Sequence, residues 1–312
     1  MTENEIMGIL RQPHRDMNAI GSLHAEIGGT PGETPILRWA GSKKRLLSQL
    51  LQAARAADTV RYIEPFMGSG ALFLKLNPQS AVLSDINPHL IAAYEGVRDF
   101  PEQVWSLVMS WPAEDTFYYQ LRAVRDELLT DIEQAARFVY LNRYCFNGVY
   151  RTNQKGQFNV SRGQGNLGIP SWPVFRDFAR RLNYTTLTQC DFEISLRLAG
   201  SGDLIYVDPP YLVEGKRDRG EYGAGVFGSA DLDRLLHAIK AADARGAKIL
   251  MSYTPCERVL DALDTWHVRQ LSVMRNVSSK TTGRVTAAEI IVSNYEWNDV
   301  PGNEENQNCD CQ

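Results

Sequence analysis

Apolar positions along the chain fall into short β-branched runs separated by stretches of helical spacing. From Lys43 to Ala57, Leu46, Leu47, Leu50 and Leu51 recur on one helix face, which predicts a helix. RYIEPF reads as a strand, MGSGALFLKL as a glycine turn entering a helix, AVLSDI as a second strand, and a further helix is expected from Asn87. Strand, turn, helix and strand in that order make a βαβ unit. From Glu102 to about Phe146 the period is helical, with a break at WPAED. NGVYRTNQKGQFNVSRGQGNLGIPSWP has no sustained period and many turn formers, so it reads as loop or short hairpin. After VFRDFARRLN the α/β rhythm resumes. Strands are expected at Thr185–Thr188 and Leu204–Val207, a helix at Ala230–Arg245, a strand in AKILMSY, a helix in CERVLDAL, and closing strands in WHVRQLSV and AAEIIVSNY. The architecture expected is an α/β sheet domain, residues 35–101 and 184–297, interrupted by a helical, loop-rich insertion at 102–183. Residues 1–34 read as a loosely attached arm and 298–312 as an acidic, unordered tail.

Composition changes this picture little. The chain is 44% hydrophobic and 22% charged, which is ordinary for a globular protein. No run approaches the ~20 apolar residues of a membrane span, and MTENEIMGIL lacks the order of a signal peptide. Cys145, Cys190, Cys256, Cys309 and Cys311 show no framework spacing, which points to a reduced, cytoplasmic setting. The scattered histidines offer no metal-ligand spacing, so no metal is expected.

The net charge of −4 is unevenly spread. Arg38, Lys43, Lys44, Arg45 and Arg55 form an acid-free segment. Arg143, Arg151, Lys155, Arg162, Arg176, Arg180 and Arg181 are opposed only by Asp177, and aromatics and glycines lie among them. Such a local patch suits phosphate even on an acidic chain. Lys43 to Arg45 would sit at a helix N-terminus, where cations are disfavoured. A bound anion would resolve that conflict, and so would a helix that starts later.

Two stretches carry the chemistry. FMGSG lies between a strand and a helix, where glycine lets a ligand approach the backbone, and Asp85 at the end of the next strand suits ribose hydroxyls. Both nicotinamide dinucleotides and S-adenosylmethionine fit that pair. DLIYVDPPYL then decides between them, because its strand ends on Asp208, Pro209, Pro210 and Tyr211. A carboxylate, a prolyl carbonyl and a flat ring can accept both hydrogens of a ring-bound amine and stack on its base. Accepting those hydrogens draws the nitrogen lone pair out of conjugation. Methylation of an exocyclic amine needs that, whereas hydride transfer does not.

RWAGSKKRLL, YIEPFMGSGALFL, SDINPHLI, LNRYCFNGVYRTNQKGQFNV and GDLIYVDPPYL, in this order, resemble the Dam-type DNA adenine-N6 methyltransferases. The resemblance implies a Rossmann-like, S-adenosylmethionine-dependent methyltransferase sheet with an inserted target-recognition domain. It implies cofactor contacts at Trp39, Lys43, Phe66, Gly68, Gly70, Asp85, Asp191, Phe192 and Asp208. Asp208, Pro209, Pro210 and Tyr211 match the catalytic motif, and Asn147, Arg151, Asn153, Lys155, Ser161 and Arg162 match the DNA-binding region. The implied partner is double-stranded DNA, with room for a cognate restriction endonuclease, in a bacterial cytoplasm or for a phage within one. Members that recognise GATC usually carry proline at the position of Ser161 and often arginine at that of Gln164, so the recognition sequence stays open. Tyr253 stands where the family usually has asparagine. The alternatives are a cytosine-N4 methyltransferase and a DNA-binding module that has lost catalysis. Pro255-Cys256 reads as a turn with an incidental thiol, and Tyr222 and Phe227 as lid or core packing near the base.

Overall fold

The computed structural model describes residues 8, 26–41, 43, 45–164, 168–212, 227–276 and 284–297. The expectations for Lys44, Tyr222, the acidic tail and most of the N-terminal arm lie outside them. The end of that arm is docked rather than loose. β1 (Glu26–Ile27) pairs in parallel with β4 (Ile169–Pro170), and Glu33 meets Lys75 at 2.6 Å.

The central sheet has seven strands. Five of them, β2 (Arg61–Glu64), β3 (Ala81–Asp85), β5 (Thr185–Gln189), β6 (Asp203–Val207) and β7 (Lys248–Tyr253), run parallel. β8 (His267–Asn276) and β9 (Arg284–Ser293) close it as an antiparallel pair, giving the order β5-β3-β2-β6-β7-β9-β8. β6 is buried at every position, as a central parallel strand with both faces covered must be. Its pleat sends Leu204 and Tyr206 into one core and Ile205 and Val207 into the other. This is the Rossmann-like arrangement expected of the fold class.

On the second face lie α8 (Phe192–Arg197), α9 (Ser229–Ala244) and α10 (Glu257–Ala262). The first face is covered by α1 (Leu47–Ala56), α2 (Ala71–Leu76), α3 (Pro88–Asp99) and the helices between β3 and β5. Those helices are α4 (Pro101–Ser110), α5 (Asp115–Ala123), α6 (Asp131–Tyr144) and α7 (Trp172–Leu182), with the expected break around Trp111. α3 starts where Asn87 caps the amides of His89 and Leu90 ahead of Pro88. α6 starts on a capping box between Thr130 and Glu133. Trp105 and Trp172 pack against each other at 5.6 Å, and the Trp105 indole donates to the Pro170 carbonyl.

α1 begins at Leu47, not at Lys43. The preceding turn is closed by the Leu46 amide on the Lys43 carbonyl, 2.8 Å away, so Lys43 lies off the helix and its charge never opposes the dipole. α8 was not foreseen, because six residues carry too little periodicity; Asp191 caps it through the Glu193 amide.

Candidate active site

The carboxyl ends of β2, β3, β6 and β7 meet at one edge of the sheet. The chain leaves β2 toward β3 on one side, while β6 pairs on the other, which makes this edge a topological switch point. After β2 the turn tightens through the Met67 amide on the Ser84 carbonyl. Gly68 has φ +45° and Gly70 φ +62°, a region that disfavours side chains. A Cβ on Gly68 would lie 2.6 Å from the Trp39 ring. The Gly68 amide donates to Asp85 Oδ2 at 3.3 Å and its carbonyl accepts from the Tyr94 hydroxyl at 2.9 Å. Burial pushes the Asp85 carboxyl up to about 6, against the amides of Asn87, Gly68 and Ile86. Ile86, 50% exposed, stands next to this acid and offers an apolar surface that the motif search missed.

Gly68→Ala is expected to displace Trp39 and to weaken cofactor binding about tenfold, from strain at a special backbone conformation. Calorimetric titration of the variant with S-adenosylmethionine measures it, and an unchanged affinity would contradict the reading.

Asp208 follows β6 directly. Its Oδ1 accepts from Lys43 Nζ at 2.7 Å and from Ser252 Oγ at 3.0 Å. No described residue bonds Oδ2, and the side chain keeps 21% exposure. Burial raises the Asp208 carboxyl, while Lys43 and Ser252 pull it back down. For Lys43, burial favours the neutral amine, but Asp208 and Tyr211 outweigh it and hold the ammonium above the lysine range. Lys43 also donates to the Gly41 carbonyl and lies 4.9 Å from the Tyr211 ring centroid. The anion foreseen for this lysine is therefore a protein carboxylate in this structure.

The Tyr211 ring meets the edge of Tyr253 at 5.4 Å and 83°. The Tyr253 hydroxyl accepts from the Leu212 amide at 3.2 Å, so this departure from the family's asparagine supplies its own support. Phe66 packs on Phe192 at 5.5 Å and on Phe227 at 6.1 Å. Asp191 is held by Arg234, which also binds Glu193 and Asp231.

Residues 39–279 match the model of the D12 class N6 adenine-specific DNA methyltransferase family. The chain is 32% identical over 271 residues to the Type II methyltransferase M1.LlaDCHI of Lactococcus lactis subsp. cremoris, covering 84% of this chain and 95% of that one. It is 29% identical over 264 residues to a DNA adenine methylase of Haemophilus influenzae, covering 82% and 92%. It is 31% identical over 268 residues to the DNA N-6-adenine-methyltransferase of Escherichia phage P1, covering 83% of this chain and 35% of that one.

The chain belongs to the D12 class of N6 adenine-specific DNA methyltransferases. In this D12 methyltransferase the helical insertion is tied to the segment that packs on the Gly68 turn. Asn142 on α6 holds both the amide and the carbonyl of Arg38, at 2.8 and 2.7 Å. Trp39 stacks on Tyr150 at 6.2 Å. Arg151, next in sequence, has its Nε fixed on Asn159 Oδ1 at 2.8 Å within a short hairpin that pairs Thr152 with Phe158.

The residues expected at the DNA do not all point outward. Asn147 (φ +53°), Lys155 and Ser161 are exposed. Asn153 is spent on the hairpin turn, where its Oδ1 accepts from the Lys155 and Gln157 amides. Arg162 turns inward, binding Asp115 at 2.7 Å and the Ala113 carbonyl at 2.8 Å, with its guanidinium 5.5 Å from the Tyr144 ring centroid. These contacts tie the segment after the hairpin to α5. Two features escaped the sequence reading. Phe146, 54% exposed, stands beside Asn147 at the end of α6. Arg143 is buried, donates to the Gly168 carbonyl and pairs with no described carboxylate. Burial and the neighbouring Arg38 push its guanidinium down to about 10.

Proposed function

We propose that the chain transfers the methyl group of S-adenosylmethionine to the N6 amine of an adenine flipped out of double-stranded DNA. The observation that carries this reading is the state of Asp208. Lys43 and Ser252 occupy one of its oxygens and counter the upward push of burial, while among the described residues the other stays open to an amine.

The residues at the sheet edge fit the cofactor. Gly68 lets the turn sit directly under the Trp39 ring, Asp85 suits ribose hydroxyls, and Ile86 and Phe66 offer apolar surface to a flat ring. When bound there, S-adenosylmethionine supplies an electrophilic methyl carbon. The chain's own work is on the base. Asp208 Oδ2 and the Pro209 carbonyl accept the two amine hydrogens, and Tyr211, braced by Tyr253, stacks on the ring. The nitrogen lone pair, freed from conjugation, would form the new carbon–nitrogen bond as the methyl carbon's bond to sulfur breaks and its electron pair stays on the sulfur, and the surplus amine proton leaves to water. Positioning and electrostatics supply the rate.

Residues 102–183 serve as the target-recognition domain. Arg38 and Arg143, adjacent cations with Arg143 buried beside no described carboxylate, favour a DNA phosphate. Arg151, held by Asn159, is the base-reading candidate, and the exposed Asn147 and Lys155 flank it in sequence. Phe146, an exposed aromatic beside Asn147, is the candidate for the space a flipped base leaves. The Lactococcus relative is named a Type II methyltransferase, which supports a cognate restriction endonuclease as a partner.

Incubating the protein with methyl-labelled cofactor and varied duplexes, then digesting to nucleosides, is expected to give N6-methyladenine. Transfer should fall steeply as salt rises, because phosphate contacts release counterions. N4-methylcytosine would replace this reading with its nearest alternative, and absence of label on any duplex would end it.

A further inference from the structure

β7 ends on Ser252 and Tyr253, and neither residue was singled out for the reaction by its sequence. The pleat sends consecutive side chains to opposite faces of a strand. Here that alternation is visible in the packing. Leu250 belongs to the core on one face, and Met251 and Tyr253 to the core on the other. β7 pairs in register with β6 through Val207 and Met251, so its last two residues stand beside the first residues after β6.

On the first face Ser252, fully buried, donates to Asp208 Oδ1 at 3.0 Å. A hydroxyl has one proton, so the 2.9 Å contact between Ser252 and Tyr206 must have the tyrosine as donor. Burial keeps Tyr206 a phenol, which preserves that direction. A relay therefore runs from Tyr206 through Ser252 to the carboxylate. On the other face Tyr253, also fully buried, presents its edge to Tyr211 and its hydroxyl to the Leu212 amide. The four residues Asp208 to Tyr211 are thus held at both ends by adjacent residues of one strand.

We propose that Ser252 and Tyr253 form a positioning pair, Ser252 orienting the Asp208 carboxylate with Oδ2 toward the amine and Tyr253 setting the Tyr211 ring against the base. The inference rests on the amine-methylating reading above, and the two fail separately. The pair acts through Asp208 and Tyr211 and touches no reacting atom.

The test uses the full chain with duplex DNA and labelled cofactor, in single-turnover and steady-state assays beside cofactor titration. Ser252→Ala is expected to slow single-turnover transfer about tenfold, the scale of a hydrogen bond to a charged group, with cofactor and DNA affinities unchanged. Ser252→Thr, which keeps the hydroxyl, should restore most of the rate. Tyr253→Leu is expected to raise KM for DNA and lower kcat together, while Tyr253→Phe, which keeps the ring edge, falls between it and the unaltered protein. Transfer by Ser252→Ala and Tyr253→Leu at the unaltered rate would overturn the inference. So would a loss that Ser252→Thr does not recover and that tracks lowered thermal stability and cofactor binding. If the unaltered protein labels no adenine, the functional reading fails first.

Discussion

Asp208→Ala is expected to reduce methyl transfer by at least about 10²–10³-fold, the range seen when a preorganised partner of the reacting group is removed. The variant loses the open oxygen that accepts the amine hydrogen, and nothing among the described residues stands in for it. It also strips Lys43 of its counter-charge. Breaking one side of a buried pair costs about 3–5 kcal/mol in the worst case, and the partial exposure of Asp208 reduces that. Thermal stability should therefore fall with the rate. The double variant Asp208→Ala/Lys43→Met removes both charges, and it is expected to recover stability without recovering transfer. A rapid-quench assay with labelled cofactor separates the two effects. Appreciable methylation by a folded Asp208→Ala protein would refute the mechanism.

Lys43→Met should cost roughly tenfold in transfer near neutral pH, the worth of a charge-assisted hydrogen bond. Its signature is the pH profile. Asp208 must be a carboxylate to accept the amine hydrogen, so activity disappears as pH falls through its pKa. Burial raises that pKa, and Lys43 is the largest influence lowering it, followed by Ser252, with Glu289 acting in the raising direction. Glu64, Tyr62, Tyr206 and Tyr211 lie within electrostatic reach as well. Deleting Lys43 removes a lowering influence, so the pKa rises and the acidic limb moves to higher pH. Lys43→Arg keeps the charge and should leave the limb near its original place. If Lys43 serves only the cofactor, affinity for S-adenosylmethionine will weaken while the limb stays fixed.

Much of this is legible in the sequence. The βαβ unit, the helical insertion and its break, and the closing strands follow from hydrophobic period and turn chemistry, which are local properties of the chain. So do the glycine turn and the Asp208-Pro209-Pro210-Tyr211 motif, because each needs specific residue types within a few positions. Errors came where local signal was thin. α1 starts at Leu47 although Leu46, in the turn ahead of it, still matches the leucine spacing, and α8 is too short to show a period.

The alphabet and order of the chain by themselves determined the sheet and the family. Only tertiary structure decided what each charge faces. Arg38 and Asn142 lie 104 residues apart, and Ser252 lies 44 from Asp208, yet both pairs are hydrogen-bonded. The same closure turned Lys43 onto Asp208 and Arg162 onto Asp115. Periodicity records which face of an element is apolar. It does not record which distant polar group will satisfy a buried charge, because that pairing forms only once desolvation makes an unpaired charge too costly to keep.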